Sequence, residues 1–335
     1  MSRIADGARL GGERRALLWR ARFKHRELSP VVIRTDRVCK DDVLVAFCAR
    51  NEAPRLPYFF EYYRALGANH FFAIDNGSSD ESLEFLSGQA DCSVWRTDAS
   101  YQSARFGMDW INSILNRHGR NHWVLVVDPD EFFVYPHMTS RPLTALLDWL
   151  DAGHLRSFGA MLVDMYPRHE INRATYSTGA DPLLIAPYFD AFTYRARREP
   201  FYHNVWLQGG PRERVFFADR PSFAPALNKI PLVKWAKGIA FRSSTHQLLP
   251  RSLNRTHQSG QNPNACGALL HFKFLEFFAE KSKEDLSRKQ HYASGREYRA
   301  YTARQETVLW TEESQKYTDW RQLEELGLMS RGDWA

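Results

Sequence analysis

The chain has 335 residues, of which 44% are hydrophobic and 25% charged, the composition of an ordinary globular protein with enough length for a large core. No apolar run approaches the roughly 20 residues of a membrane span. The N-terminus has no continuous apolar stretch that would read as a signal peptide. The four cysteines (Cys39, Cys48, Cys92, Cys266) show no CxxC pairing, so they are read as reduced core residues of a cytosolic protein, not as a zinc site or disulfide frame. The net charge of +6 is mild and suits phosphorylated ligands or an anionic membrane surface; no nucleic-acid partner is expected.

Residues 1–34 carry nine Lys/Arg against three acids, a surplus equal to that of the whole chain. Leu10, Leu17, Leu18, Trp19 and Phe23 are interleaved with the arginines. The pattern reads either as a basic amphipathic helix lying on anionic lipid or as a solvated helix packed on the domain that follows. Residues 1–42 are taken as this arm.

From Val43 strands and helices alternate. Strands are expected at Val43–Cys48, His70–Asp75, Ser93–Thr97 and His122–Val127. Helices are expected at Leu56–Leu66, stopped by Gly67, at a short segment opened by a Ser78/Glu81 capping box, and at Arg105–Asn116. Such an alternation implies an α/β fold with a doubly wound, mainly parallel sheet, whose ligands bind beyond the carboxyl ends of the strands. The polar residues obey that rule. The first strand runs into Arg50-Asn51-Glu52, the second into Asp75-Asn76-Gly77-Ser78-Ser79-Asp80, and the fourth into Asp128-Pro129-Asp130-Glu131. Three such ends on one edge form one pocket. No GxGxxG follows the first strand and no GxxxxGK[ST] is present, which argues against a dinucleotide enzyme and a P-loop NTPase.

The acids after Trp123–Val127 are the centre of the chain. Carboxylates crowded at the end of a buried strand repel one another and are costly to bury unpaired. Pro129 keeps the link extended, so Asp128 and Asp130 can project to one side. An oxygen-rich set of this kind suits Mg²⁺ or Mn²⁺, which share their shell with substrate phosphates; a solvated acidic turn is the other reading. Further on, Leu143–Leu150 is expected to be helical, loop-rich segments follow to about residue 270, and residues 275–305 read as a polar helical tail. The apolar run Gly267–Phe274 reads as a buried strand, with His271 and Lys273 at alternate positions. They are read either as a further metal ligand and a phosphate contact, or as a core histidine and a snorkelling lysine.

Residues 43–136 resemble family 2-like glycosyltransferases of the GT-A fold. The resemblance rests on Ala49-Arg50-Asn51-Glu52, Asp75–Asp80, Ser103-Ala104-Arg105-Phe106-Gly107 and Asp128-Pro129-Asp130-Glu131. Gly209-Gly210-Pro211-Arg212, Pro231–Trp235 and Leu270–Phe274 are similar to a bacterial branch related to the galactosyltransferase-like family 92. The resemblance implies a GT-A domain over 43–305, with a nucleotide-sugar half (43–140), an acceptor half (141–274) built of loops, and C-terminal helices (275–335).

The resemblance also implies a UDP-linked donor, a Mn²⁺ or Mg²⁺ cofactor and a glycan or lipid-linked acceptor. The setting it implies is surface polysaccharide assembly, in the cytoplasm or at the inner face of the membrane. Asn51 and Glu52 would lie near the base, Asp75 near uracil or ribose, and Arg105 would face the nucleotide, though Phe106 stands where the usual segment has Asn. Arg50, Asn76 and Ser79 complete that pocket and Lys273 meets phosphate. Asp128, Asp130 and His271 would hold the metal. An inverting enzyme needs a carboxylate base in the acceptor half. Glu213, beside Gly209-Gly210 and between Arg212 and Arg214, is the first candidate, with Asp164 and Asp181 as others and His246 after them. Two other classes stay open: a Mg²⁺-dependent phosphoester hydrolase, and an inactive GT-A scaffold acting as a binding module.

Overall fold

A computed structural model describes residues 2–255, 264–275 and 307–334. The chain starts with α1 (Ser2–Lys24) and β1 (Ser29–Val32), then enters β2 (Val43–Ala49), α2 (Leu56–Leu66), β3 (His70–Asp75), α3 (Ser82–Gly88), β4 (Cys92–Arg96), α4 (Met108–His118) and β5 (Trp123–Val126). It continues through β6 (Glu131–Val134), α5 (Leu143–Ala152), β7 (Ser157–Asp164), β8 (Tyr188–Phe189), β9 (Arg195–Glu199) and β10 (Asn204–Gln208). The remaining elements are β11 (Asn228–Lys234), β12 (Ala240–Ser243), β13 (Gln247–Leu249), β14 (Gly267–His271), β15 (Gln315–Lys316) and α6 (Trp320–Glu325). The expected tail at 275–305 falls almost wholly outside the described residues.

The sequence makes β2 a central strand by being apolar on both faces. Val43, Val45 and Phe47 enter one core with Leu56, Phe59, Phe60 and Tyr63 of α2. Leu44 and Ala46 enter a second core with Trp110, Ile111, Ile114 and Leu115 of α4. The four α2 side chains recur at helical spacing and are fully buried, each worth about 1.5–3 kcal/mol. Gly67 ends α2 in the left-handed region at φ 110°, its N–H bonded to the carbonyls of Tyr63 and Arg64.

Nine strands form one sheet in the order β1-β4-β3-β2-β5-β11-β7-β14-β6. Six run in one direction (β2, β3, β4, β5, β7, β14), while β1, β6 and β11 run against them. The fold is thus α/β with a large, mixed, mostly parallel sheet. β11 enters between β5 and β7, and β7 extends the sheet through the half expected to be rich in loops, while β14 forms in the apolar run expected to be a buried strand. Trp320, Leu323, Leu328, Met329 and Trp334 are buried in the α2-side core, so residues 307–334 close this same domain.

Two local expectations change. The capping box does not form: α3 starts at Ser82, and Ser78 Oγ accepts the Asn51 N–H at 3.1 Å instead. α4 starts at Met108, because Arg105, Phe106 and Gly107 all have positive φ (53°, 56° and 75°), which no right-handed helix admits. No helix among the described residues is long and apolar enough to cross a membrane. α1 packs on α4 and β12, and β1 joins the sheet edge.

Candidate active site

Strand direction collects the functional side chains. The forward strands β2, β3, β5, β7 and β14 end at or just before Arg50, Asp75, Asp128, Asp164 and His271. The reversed strands β6 and β11 begin with Glu131 and Asn228-Lys229. All therefore share one edge. Register fixes the neighbours: His271 of β14 stands opposite Asp164 of β7 on one side and Glu131 of β6 on the other.

His271 is the hub. Its Nδ1 lies 2.6 Å from Asp164 Oδ1, and its Nε2 lies 3.4 Å from Asp130 Oδ2. Asp164 is held on its other oxygen by Arg212 Nε at 2.7 Å, with both side chains buried. The Asp130 loop is pinned to the strand by a Phe272 N–H to Asp130 carbonyl bond of 2.8 Å, and Arg55 donates to the Phe272 carbonyl at 3.2 Å. Burial alone would raise the Asp130 pKa, but the charge and hydrogen bond of His271, then Arg55 and Lys273, hold it well below the usual carboxylate range. Burial pulls the His271 pKa down, yet Asp130 and Asp164 outweigh this and raise it.

A second ionic group adjoins the first. Lys229 is buried, with Nζ 2.8 Å from Glu131 Oε1 and 3.6 Å from Asp128 Oδ2. Asp128 is 46% exposed and turns to this lysine. Burial, opposed by Lys229 and aided by Asp128, pushes Glu131 up to about 7. The acidic crowding read from the sequence is thus offset by the chain's own cations. Asp128, Glu131, Arg212, Lys229, His271 and Lys273 line a cleft of about 560 Å³, closed on other sides by Tyr101–Phe106, Trp206, Phe223 and Arg242.

Of the three residues expected to hold a metal, Asp130 and His271 lie against each other as an ion pair, and Asp128 is engaged by Lys229. Among the described residues no three or more His, Cys, Asp or Glu side chains are arranged to hold a metal by themselves. One feature of the pair bears on a metal. With Nδ1 of His271 turned to a carboxylate, Nε2 faces Asp130, the arrangement in which an outer carboxylate orients a metal-bound imidazole. Asp130 and His271 are the residues that would hold a hard cation there, and it would supply charge stabilisation to a substrate's phosphates.

The nucleotide-side residues hold one another. Asn51 Oδ1 accepts the Ser79 N–H at 2.8 Å, Asp80 Oδ2 accepts the Ala53 N–H at 3.1 Å, and Arg50 donates to the Asn76 carbonyl at 2.7 Å and to that of Gly77. Glu52 is paired with Arg55 at 3.1 Å. Asn76 donates to the carbonyls of Thr97 and Ala99. Asp75 is fully buried, its Oδ2 accepting the Ser78 N–H at 3.2 Å, while Oδ1 has no hydrogen-bond partner. Arg105 lines the cleft, held by Asp109 at 3.4 Å and the carbonyls of Phe241 and Arg242.

The base candidates fare differently. Glu213 is ion-paired with Arg195, its Oε2 is buried, and it does not line the cleft. Asp164 is locked between His271 and Arg212. Asp181 instead caps a 3₁₀ turn, accepting the Leu183 N–H at 2.9 Å. His246 does line the cleft, but burial, with Lys229 and Arg212 nearby, pushes it down to about 3. Its Nδ1 is 2.6 Å from the Asn228 carbonyl and so carries the proton of a neutral ring. Sequence reasoning missed Lys229 and the role of Arg212. A lysine inside the apolar run Leu227–Val233 was the available signal for the first.

No protein-family model matches this chain, and no curated protein matches it. Among solved structures, the crystal structure of HddC from Yersinia pseudotuberculosis is similar over 62% of this chain and 75% of its own, at 7% identity and a TM-score of 0.28. A likeness at that level carries no argument about either fold or function.

Proposed function

We propose that this chain is a metal-dependent glycosyltransferase of GT-A type. It would move a sugar from a nucleotide-sugar donor, UDP-linked in the simplest case, to a hydroxyl of a glycan or lipid-linked acceptor. The observation that carries the reading is His271, held between Asp130 and Asp164, which stands with Lys229, Arg212 and Lys273 on the wall of a cleft large enough for such a donor.

A bound Mn²⁺ or Mg²⁺ supplies Lewis-acid stabilisation of the departing diphosphate. Asp130 and His271 would hold it, with Asp164 orienting the imidazole. Lys229, Arg212 and Lys273 present positive charge where the leaving group gains negative charge. The loops after β2 and β3, tied to each other by Asn51, Ser79 and Asp80, lie beside the cleft's lining and would be the rigid support for the nucleoside. The unpartnered Oδ1 of Asp75 is the acceptor that a ring N–H or ribose hydroxyl would satisfy. The stereochemical outcome depends on the base, and neither Glu213 nor Asp164 is placed as a free one.

The test is calorimetric titration of UDP with and without Mn²⁺ on the wild type and on Asp130→Ala. Metal-dependent binding lost in the variant supports the proposal. Absence of metal-dependent binding of UDP, GDP and dTDP overturns it, and hydrolysis of a simple phosphate monoester with Mg²⁺ would then favour a hydrolase.

A further inference from the structure

Helix α1 has two working sides. Leu10, Leu17 and Ala21 are buried, and at 100° per residue they fall within about 40° of one another. The opposite side is centred on Trp19 and carries Arg15, Arg22 and Phe23, with Arg26 following in the adjoining 3₁₀ turn. All five are exposed, Trp19 by 73% and Phe23 by 57%, and the Arg26 guanidinium lies over the Phe23 ring at 5.6 Å.

The acids of this segment are turned away from that face. Glu13 is paired with Arg242 at 2.6 Å. Glu27 binds Lys24 and accepts the indole N–H of Trp110 at 2.9 Å. Asp6 falls on the buried side of the helix. The outward face therefore presents two large aromatics and three arginines with no carboxylate among them.

We propose that the outward face of α1 seats this protein on an anionic phospholipid bilayer. A solvated helix face carries polar side chains; aromatic rings set among arginines are the pattern of an interfacial anchor. Arginine stems reach past the rings to lipid phosphates. The ion pairs Glu13–Arg242 and Arg20–Asp109 clamp α1 to the body, and Arg242 lines the cleft. A helix held so ties its outward face to the body that carries the cleft. The anchoring stands whether or not sugar transfer does.

The experiment sediments the full chain with vesicles of phosphatidylcholine alone and with phosphatidylglycerol added, at low and high salt. Binding is expected to need the anionic lipid and to weaken with salt. Arg15→Gln and Arg22→Gln should each weaken it about fivefold at low salt. Trp19→Ser with Phe23→Ser should weaken it about tenfold or more, while Leu184→Ser, at an exposed site elsewhere, should leave it unchanged. Circular dichroism confirms that each variant folds, and the arginine variants carry the test if the double serine variant does not. No binding to anionic vesicles, or equal binding by all variants, overturns the proposal. So does a wild-type dimer, seen by light scattering, that these changes split without altering vesicle binding.

Discussion

His271 and Asp164 are direct neighbours on two parallel strands, and the 2.6 Å contact between Nδ1 and Oδ1 follows from that register. Asp164 also receives Arg212, so one buried carboxylate fixes both an imidazole and a guanidinium of the cleft. Asp164→Asn keeps the shape but lets the ring turn and leaves Arg212 without its counter-charge. Manganese affinity, measured by titration, should fall about 10- to 100-fold. An unchanged affinity would mean that His271 takes no part in holding the ion.

Lys229 and Glu131 make a second prediction. Both are buried, and breaking such a pair leaves one charge stranded. Lys229→Met should cost about 3–5 kcal/mol in urea unfolding. Adding Glu131→Gln should recover much of that loss. Additive losses in the double variant would show that the two do not act as a pair.

The acidic loop could be read from the sequence because an apolar run ending in Asp128-Pro129-Asp130-Glu131 is a local pattern. Its neutralisation could not. Lys229 stands about a hundred residues downstream, on a strand whose insertion between β5 and β7 is a long-range pairing. Arg212 was legible as a cation in a glycine-rich loop, but its partner Asp164 is set by β7. The Pro231–Trp235 stretch lies off the site: its Lys234 pairs with Asp151 at 2.7 Å, while Lys229 just before it enters the cleft. The start of α4 was misjudged because apolar periodicity from Phe106 onward masks three residues of left-handed backbone.

The His271 pKa gives a signed pH dependence. It is raised above 6.5, so the folded protein holds this proton more tightly than the unfolded chain. The stability gained is fully present below pH 6.5 and is lost as pH rises through the folded pKa. Metal-free protein should therefore melt at a lower temperature as pH climbs past 6.5. Manganese competes with the same proton, so its affinity should rise over that interval. Scanning calorimetry with and without metal reads both slopes, and parallel curves would place the ion away from His271.

Gly107 carries the last prediction. Its φ is 75°, and a Cβ there would lie 2.6 Å from Cys48 Sγ and 2.9 Å from a ring carbon of Tyr101. Gly107→Ala thus meets two separate costs, a left-handed backbone and a clash. The first is about 1 kcal/mol and the second adds to it. Cys48→Ala removes the sulfur but not the backbone cost, so the double variant should regain only part of the loss. Because Arg105 and Phe106, which line the cleft, share the same left-handed run, a shift of that run in Gly107→Ala should also weaken UDP binding. Full recovery by Cys48→Ala would mean that the clash alone set the cost. No loss in Gly107→Ala would mean that the loop shifts freely and does not position Arg105.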